Sequence, residues 1–220
     1  MSAAVQLTKD LVRYNTINPP GDERLCAQHL GRIYEQAGFK ISYHEFEDKR
    51  TSLVARIGGS ADKKPICFTG HIDIVPLGRK AWSKDPFAGE TDGDKMYGRG
   101  VSDMKAGVAA FTIVLTQMAK HLERSPGVIV VITADEEKGC GGANHLESSG
   151  VLGHAGAIVV AEPTGNYPMV GHKGAFWVCA KTRGKTAHGS MPHLGDNAVY
   201  KAARAVAKLE SYDFGKPHAH

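Results

Sequence analysis

Only four cysteines occur in the 220 residues, Cys26, Cys67, Cys140 and Cys179, and no two of them form a C-x-x-C pair. That scarcity excludes a disulfide scaffold and reads as reduced, mostly buried thiols of a cytoplasmic protein. No Asn-x-Ser/Thr sequon is present. The first fourteen positions mix Lys9, Asp10 and Arg13 among apolar residues, so they lack the apolar core of a signal peptide. The longest uncharged apolar stretch, 106–119, is too short to span a bilayer. The chain has no run of basic residues and no basic stripe interleaved with aromatics, despite a net charge of +4, which argues against nucleic acid as a partner. Several catalytic signatures are missing as well. Gly184-Lys185-Thr186 invites a phosphate-loop reading, but the first glycine of that motif would fall at Cys179. There is no Gly-x-Ser-x-Gly elbow and no HExxH helix.

What is present is ordinary globular composition, 42% hydrophobic and 23% charged, enough for one good core and part of a second domain. The count of eleven histidines is high and hints weakly at metal chemistry. Hydrophobic periodicity predicts helices over 3–14 and from Asp22-Glu23 to Gly38. Two strands are expected at 40–46 and 52–57. Apolar runs at 66–69, 127–133 and 157–161 then alternate with helices at 103–120 and 143–149, and 76–100 reads as a long loop. The expected fold is α/β, a mainly parallel sheet flanked by helices. Its domain would be 1–173. The texture changes after that: a strand at 175–182, a polar loop, and a helix capped by Asp196 with the stripe Val199, Ala202, Ala203, Val206 and Leu209. Residues 174–220 therefore read as the start of an α+β second domain, unfinished because one strand and one helix cannot bury a core.

In parallel sheets ligands sit beyond the carboxyl ends of the strands. Three such ends here carry His71, the pair Glu136-Glu137, and Glu162. His71 and Asp73 stand two apart, so an extended chain puts both on one face, as a metal ligand and its orienting partner would be. A quiet strand-end histidine fits that short pattern equally well. Asp103 follows a glycine-rich approach and sits at a helix N-terminus, where an ordinary N-cap is the simpler reading. Glu136 and Glu137 are adjacent and point in different directions, so one can face a metal and the other a metal-bound water; a solvated acidic turn is the alternative. If Asp103, Glu136, Glu137 and Glu162 converge, four negative charges share one cleft, and two divalent cations would offset them. Histidine and carboxylate ligands with no thiolate suit catalytic zinc.

Gly70-His71-Ile72-Asp73-Ile74-Val75-Pro76, Trp82, Asp85-Pro86-Phe87, Tyr97-Gly98-Arg99-Gly100 and Ser102-Asp103-Met104-Lys105 resemble the blocks of the co-catalytic zinc amidohydrolases and metallopeptidases. That family includes acetylornithine deacetylase, succinyl-diaminopimelate desuccinylase, aminoacylase and the glutamate carboxypeptidases. Asp135-Glu136-Glu137, Ala161-Glu162-Pro163-Thr164 and the lid block from Gly184 through His188 to His193 match in the same order. The resemblance implies that His71 and Glu162 hold one zinc, that Glu137 holds a second, and that Asp103 bridges both and is followed by a cis peptide. It implies Asp73 as orienter of His71, Glu136 as general base and His188 as oxyanion donor. Two Zn²⁺ ions, replaceable by Co²⁺, would activate a bridging hydroxide that removes the acyl group from an N-acyl amino acid, or cleaves a dipeptide, in a homodimer joined through the lid. The family's second zinc also takes a histidine beyond the lid; His218 and His220 do not match it in motif order. On that account the sequence is the N-terminal portion of a longer enzyme, weakly active at best alone. The rival reading is a catalytically incomplete fragment that serves as a metal-binding or interaction module.

Overall fold

A computed structural model describes residues 2–59, 62–174 and 178–215. Its contacts divide the chain into two compact units, Met1–Pro168 and Met169–His220.

The first unit opens with α1 (Ala3–Val12), whose Ser2 hydroxyl accepts from the Val5 N–H and caps the helix. Its buried face is Leu7, Thr8, Leu11 and Val12. The second helix, α2 (Arg24–Gln36), buries Cys26, Ala27, Leu30 and Tyr34, and the chain leaves it through Gly38 at φ +92°. Strands β1 (Lys40–Glu45) and β2 (Thr51–Ile57) form an antiparallel hairpin. After β3 (Ile66–His71) comes a small hairpin, β4 (Glu90–Asp92) and β5 (Lys95–Tyr97), turning at Gly93 with φ +58°. It lies inside the stretch expected to be loop; Asp92 pairs with Lys95, and the two-residue loop Gly93-Asp94 between them is its sequence signal. Next follow α3 (Ala106–Gln117), α4 (Ala119–Leu122), β6 (Val128–Thr133), α5 (Gly141–Ser148) and β7 (Ala157–Val160).

The sheet order is β1-β2-β6-β3-β7. Helical crossovers join β3 to β6 and β6 to β7, and both end up parallel to β3. The β1–β2 and β2–β6 pairs are antiparallel, so the sheet is mixed, with its parallel part confined to the three strands that carry the acids and His71. Strand β6 is buried along its whole length. One face of the sheet packs on a core of Leu11, Leu30, Tyr34, Met104, Val108 and Phe111. The other face packs Val54, Cys67, Ile129 and Val131 on Leu146 of α5. Among the described residues no helix is long and apolar enough to cross a membrane.

The helix expected from residue 103 begins later. Val101–Lys105 is a single π-helical turn in which Asp103 (φ −119°, ψ 97°) and Met104 (φ −133°, ψ 29°) are not helical, and their peptide bond is cis. Burial outcompetes local propensity here. Met104 is fully buried, and the Lys105 ammonium, buried as well, donates to the carbonyls of Leu11 at 3.1 Å and Tyr14 at 3.0 Å. Asp103 is thus not the N-cap of α3; that place belongs to Lys105.

In the second unit, α6 (Ala198–Glu210) is capped by Asn197, which accepts from Val199 and Tyr200, and not by Asp196, which pairs with Lys201. A short 3₁₀ turn, Pro192–Leu194, precedes it. Residues 178–182 of the expected strand are irregular, and 175–177 lie outside the described residues, as do His218 and His220. The apolar stripe of α6 is exposed, with Val199, Val206 and Leu209 all open.

Candidate metal centre

The parallel register places His71 opposite Thr133, so β3 and β6 end side by side, and the chain continues from β7 through Ala161 into Glu162 at the same edge. His71 is 2% exposed. Its Nδ1 lies 3.0 Å from the Asp73 carbonyl oxygen, and an N–H there donates to that oxygen. Nε2 is then the nitrogen that faces the acids. It lies 3.1 Å from Asp103 Oδ1, 3.6 Å from Glu162 Oε1 and 3.9 Å from Glu136 Oε2. The His71 main-chain N–H donates to Met104 Sδ at 3.2 Å, which locks the strand end to the π-helical turn.

Among the described residues, two triads could each hold a cation: His71, Glu136 and Glu137, and His71, Asp103 and Glu162. Within each, one donor atom per residue lies within 4.8 Å of the others. Five of the seven residues singled out in the sequence thus converge on one spot. Asp73 stands behind them. His188 belongs to the second unit, where it is exposed and its Nδ1 is paired with Ser190 Oγ at 2.8 Å.

The electrostatics are those of uncompensated acids around one base. Burial, then the charge on Asp103, push the Glu137 carboxyl up to about 7. Burial and the charges on Asp103 and Glu136 also raise Glu162, with the His71 charge pulling the other way. Burial works against protonation of His71, but the hydrogen bond and charge of Asp73, and the charges of Glu162 and Glu136, carry the imidazole up to about 9. A donor set of one imidazole and four carboxylates, without a thiolate, fits a pair of divalent cations such as zinc.

Asp73 meets the His71 ring through two groups. Its main-chain carbonyl oxygen lies 3.0 Å and its Oδ1 3.4 Å from Nδ1. The carboxylate also accepts the main-chain N–H of Glu136 at 3.0 Å and of Glu137 at 3.1 Å. Its pKa is lowered: burial opposes this, but His71, Asn18 and the Glu136 N–H outweigh it. Sequence reasoning missed the residues that surround this carboxylate. Asn18 reads as part of a helix-breaking Asn-Pro-Pro-Gly, yet its amide donates to Asp73 at 2.8 Å. Asp135 reads as one more acid at a strand end, yet it accepts from Asn18 and from Arg50, both at 2.8 Å. Arg50 in turn forks onto buried Glu23 at 2.9 and 3.0 Å. Only the pairing of distant segments brings these groups together, and no local pattern announces it.

Residues 67–217 match the model of Peptidase family M20/M25/M40. A probable succinyl-diaminopimelate desuccinylase of Staphylococcus aureus (strain MRSA252) is 33% identical over 198 residues, covering 89% of this chain and 47% of the relative. A succinyl-diaminopimelate desuccinylase of Cereibacter sphaeroides (strain KD131) is 32% identical over 225 aligned positions, covering 98% and 58%. The chain thus spans about half the length of the curated relatives it matches. Among solved structures, a tripeptidase from S. aureus superposes with a TM-score of 0.63 at 22% identity over 94% of this chain and 56% of that one. The M20 family metallo-carboxypeptidase Sso-CP2 from Sulfolobus solfataricus superposes with a TM-score of 0.62 at 20% identity over 73% and 37%. At such identities the structures establish a shared fold.

Proposed function

The chain belongs to peptidase family M20/M25/M40, and from that premise we propose that its protein is a metal-dependent amide hydrolase that removes an acyl group from an N-acyl amino acid. The observation that carries this reading is the crowding around His71 Nε2, with carboxylate oxygens of Asp103, Glu162 and Glu136 within 3.9 Å. His71 and Glu162 would hold one Zn²⁺, Glu137 would hold a second, and Asp103 would be shared; Co²⁺ would substitute. Bound there, such cations make a water acidic enough to attack at neutral pH and polarise the carbonyl it attacks.

The residues of the chain would do the rest. Glu136 is the more open of the two adjacent acids, and its Oε2 is the farthest of the three from His71 Nε2. It is our general base, taking the proton of the attacking water and handing it to the leaving nitrogen. Asp73 holds the main-chain N–H groups of Glu136 and Glu137 and so fixes the backbone from which both side chains reach toward His71. His188 is our donor to the developing oxyanion, with Nδ1 occupied by Ser190 and Nε2 left for that task. We assign 1–173 to the catalytic domain and 174–220 to a lid through which two copies would pair. The four free cysteines support a reducing, cytoplasmic setting. The names of the relatives favour an N-succinyl substrate.

The test is hydrolysis of a panel of N-succinyl amino acids, N-acetyl amino acids and dipeptides by the full-length protein with Zn²⁺ or Co²⁺. Metal-dependent release of the free amine is expected, with kcat reduced about 10²- to 10⁴-fold in Glu136→Gln. Inactivity of the metal-loaded protein on the whole panel, or wild-type kcat in Glu136→Gln, would overturn the mechanism.

A further inference from the structure

Asn18 is 2% exposed and sits behind the acid cluster. Its segment is laced to the one that carries Asp73. Thr16 Oγ1 donates to the Ile72 carbonyl at 2.6 Å, the Ile74 N–H donates to the Thr16 carbonyl at 3.1 Å, and the Asn18 N–H donates to the Ile74 carbonyl at 2.8 Å. The side chain is therefore presented from a fixed backbone.

A carboxamide nitrogen carries two hydrogens. Here both are used on anions: Asp73 Oδ2 at 2.8 Å and Asp135 Oδ1 at 2.8 Å. Both acids bear on the same turn. Asp135 immediately precedes Glu136, while Asp73 holds the peptide N–H groups of Glu136 and Glu137. Asp135 is held at φ +62°, a left-handed conformation that costs a non-glycine residue energy and persists only where contacts impose it. Arg50 donates to the same Oδ1 of its carboxylate, and the Gly141 N–H donates to Oδ2 at 3.2 Å.

We propose that Asn18 is a positioning residue, which fixes the directions of Glu136 and Glu137 by bridging the carboxylates of Asp73 and Asp135. The chemistry calls for an amide. A neutral group with two donors joins two anions that would otherwise repel, whereas an aspartate there would add a third carboxylate and remove both donors. Alanine would leave each acid one donor short in a nearly dry site. The inference rests on the reading of the cluster as a metal centre.

The experiment compares Asn18→Ala with the wild-type full-length protein. Its readouts are Zn²⁺ affinity by calorimetry, the visible spectrum of the Co²⁺-loaded protein, and kcat and KM on a substrate the wild type hydrolyses. Expected for folded Asn18→Ala are metal binding weakened about 10- to 100-fold, a changed Co²⁺ spectrum, and a fall in kcat with KM nearly unchanged. Asn18→Ser keeps one donor and should recover part of each loss; it is also the second variant if the alanine protein does not fold. Wild-type affinity and spectrum in either folded variant would overturn the proposal. If the wild type itself binds neither Zn²⁺ nor Co²⁺, the metal-centre reading fails first. If the wild type binds metal and the variants match it, only the role of Asn18 falls.

Discussion

At the scale of single residues, Asp73 carries more of the site than its place beside His71 suggests. It is completely buried and accepts from two main-chain N–H groups and one amide while lying next to an imidazole. Asp73→Asn keeps the shape but replaces one acceptor oxygen by an NH₂ that would face donors. We expect a loss of about 1–3 kcal/mol of stability, read by urea unfolding. Zn²⁺ affinity should fall about 10- to 100-fold, read by calorimetry. Unchanged affinity with lowered stability would make Asp73 a structural anchor only. The residues that face the cleft were legible in the sequence because each sits at a strand end or after a glycine-rich approach. Asn18, Arg50 and Asp135 were not, because their roles come from neighbours 55, 85 and 117 positions away along the chain.

At the scale of elements, the alternation of apolar runs and helical periods revealed an α/β unit, but two features escaped it. The antiparallel pairing of β2 with β6 leaves no local mark, since a buried strand reads the same whichever way its neighbour runs. The π-helical turn before α3 looked like helix because Ser102, Asp103, Met104 and Lys105 do not forbid one; buried Met104 and the Lys105 donations to α1 and Tyr14 decide otherwise. The turn and β7 are held close by Gly107 in the first turn of α3. A Cβ there would lie 2.2 Å from the Ala161 carbonyl oxygen and 3.0 Å from the Ala161 Cβ. Since the first of these is backbone, Gly107→Ala must push α3 away from the end of β7, and with it Asp103 from Glu162. A stability loss of about 1–3 kcal/mol is expected from the overpacking. Metal binding should weaken alongside it, visible as a higher Kd by calorimetry. A protein that is less stable yet binds metal as tightly as wild type would show that the two acids do not depend on this spacing.

Across the whole molecule, charge is unevenly placed. The chain is net positive by +4, yet one edge of its sheet gathers Asp103, Glu136, Glu137 and Glu162 around a single histidine. Topology produces this concentration: β3, β6 and β7 run the same way, so their carboxyl ends deliver His71, the Glu136-Glu137 pair and Glu162 to a common edge. Burial and mutual charge raise the pKa of Glu137, to about 7, and of Glu162, so ionising these two carboxylates is disfavoured unless a cation joins them. Divalent metal that binds only the folded state should stabilise it. At a free concentration a hundred times Kd the gain is about 2.7 kcal/mol. A gain of that size raises Tm. Scanning calorimetry of the full-length protein, first treated with chelator and then titrated with Zn²⁺, should show the rise. His71→Ala removes the one donor common to both triads and should abolish most of it. An equal rise in His71→Ala would place the stabilising metal elsewhere on the surface, and no rise in the wild type would mean that the acids are held together for a purpose other than binding a cation.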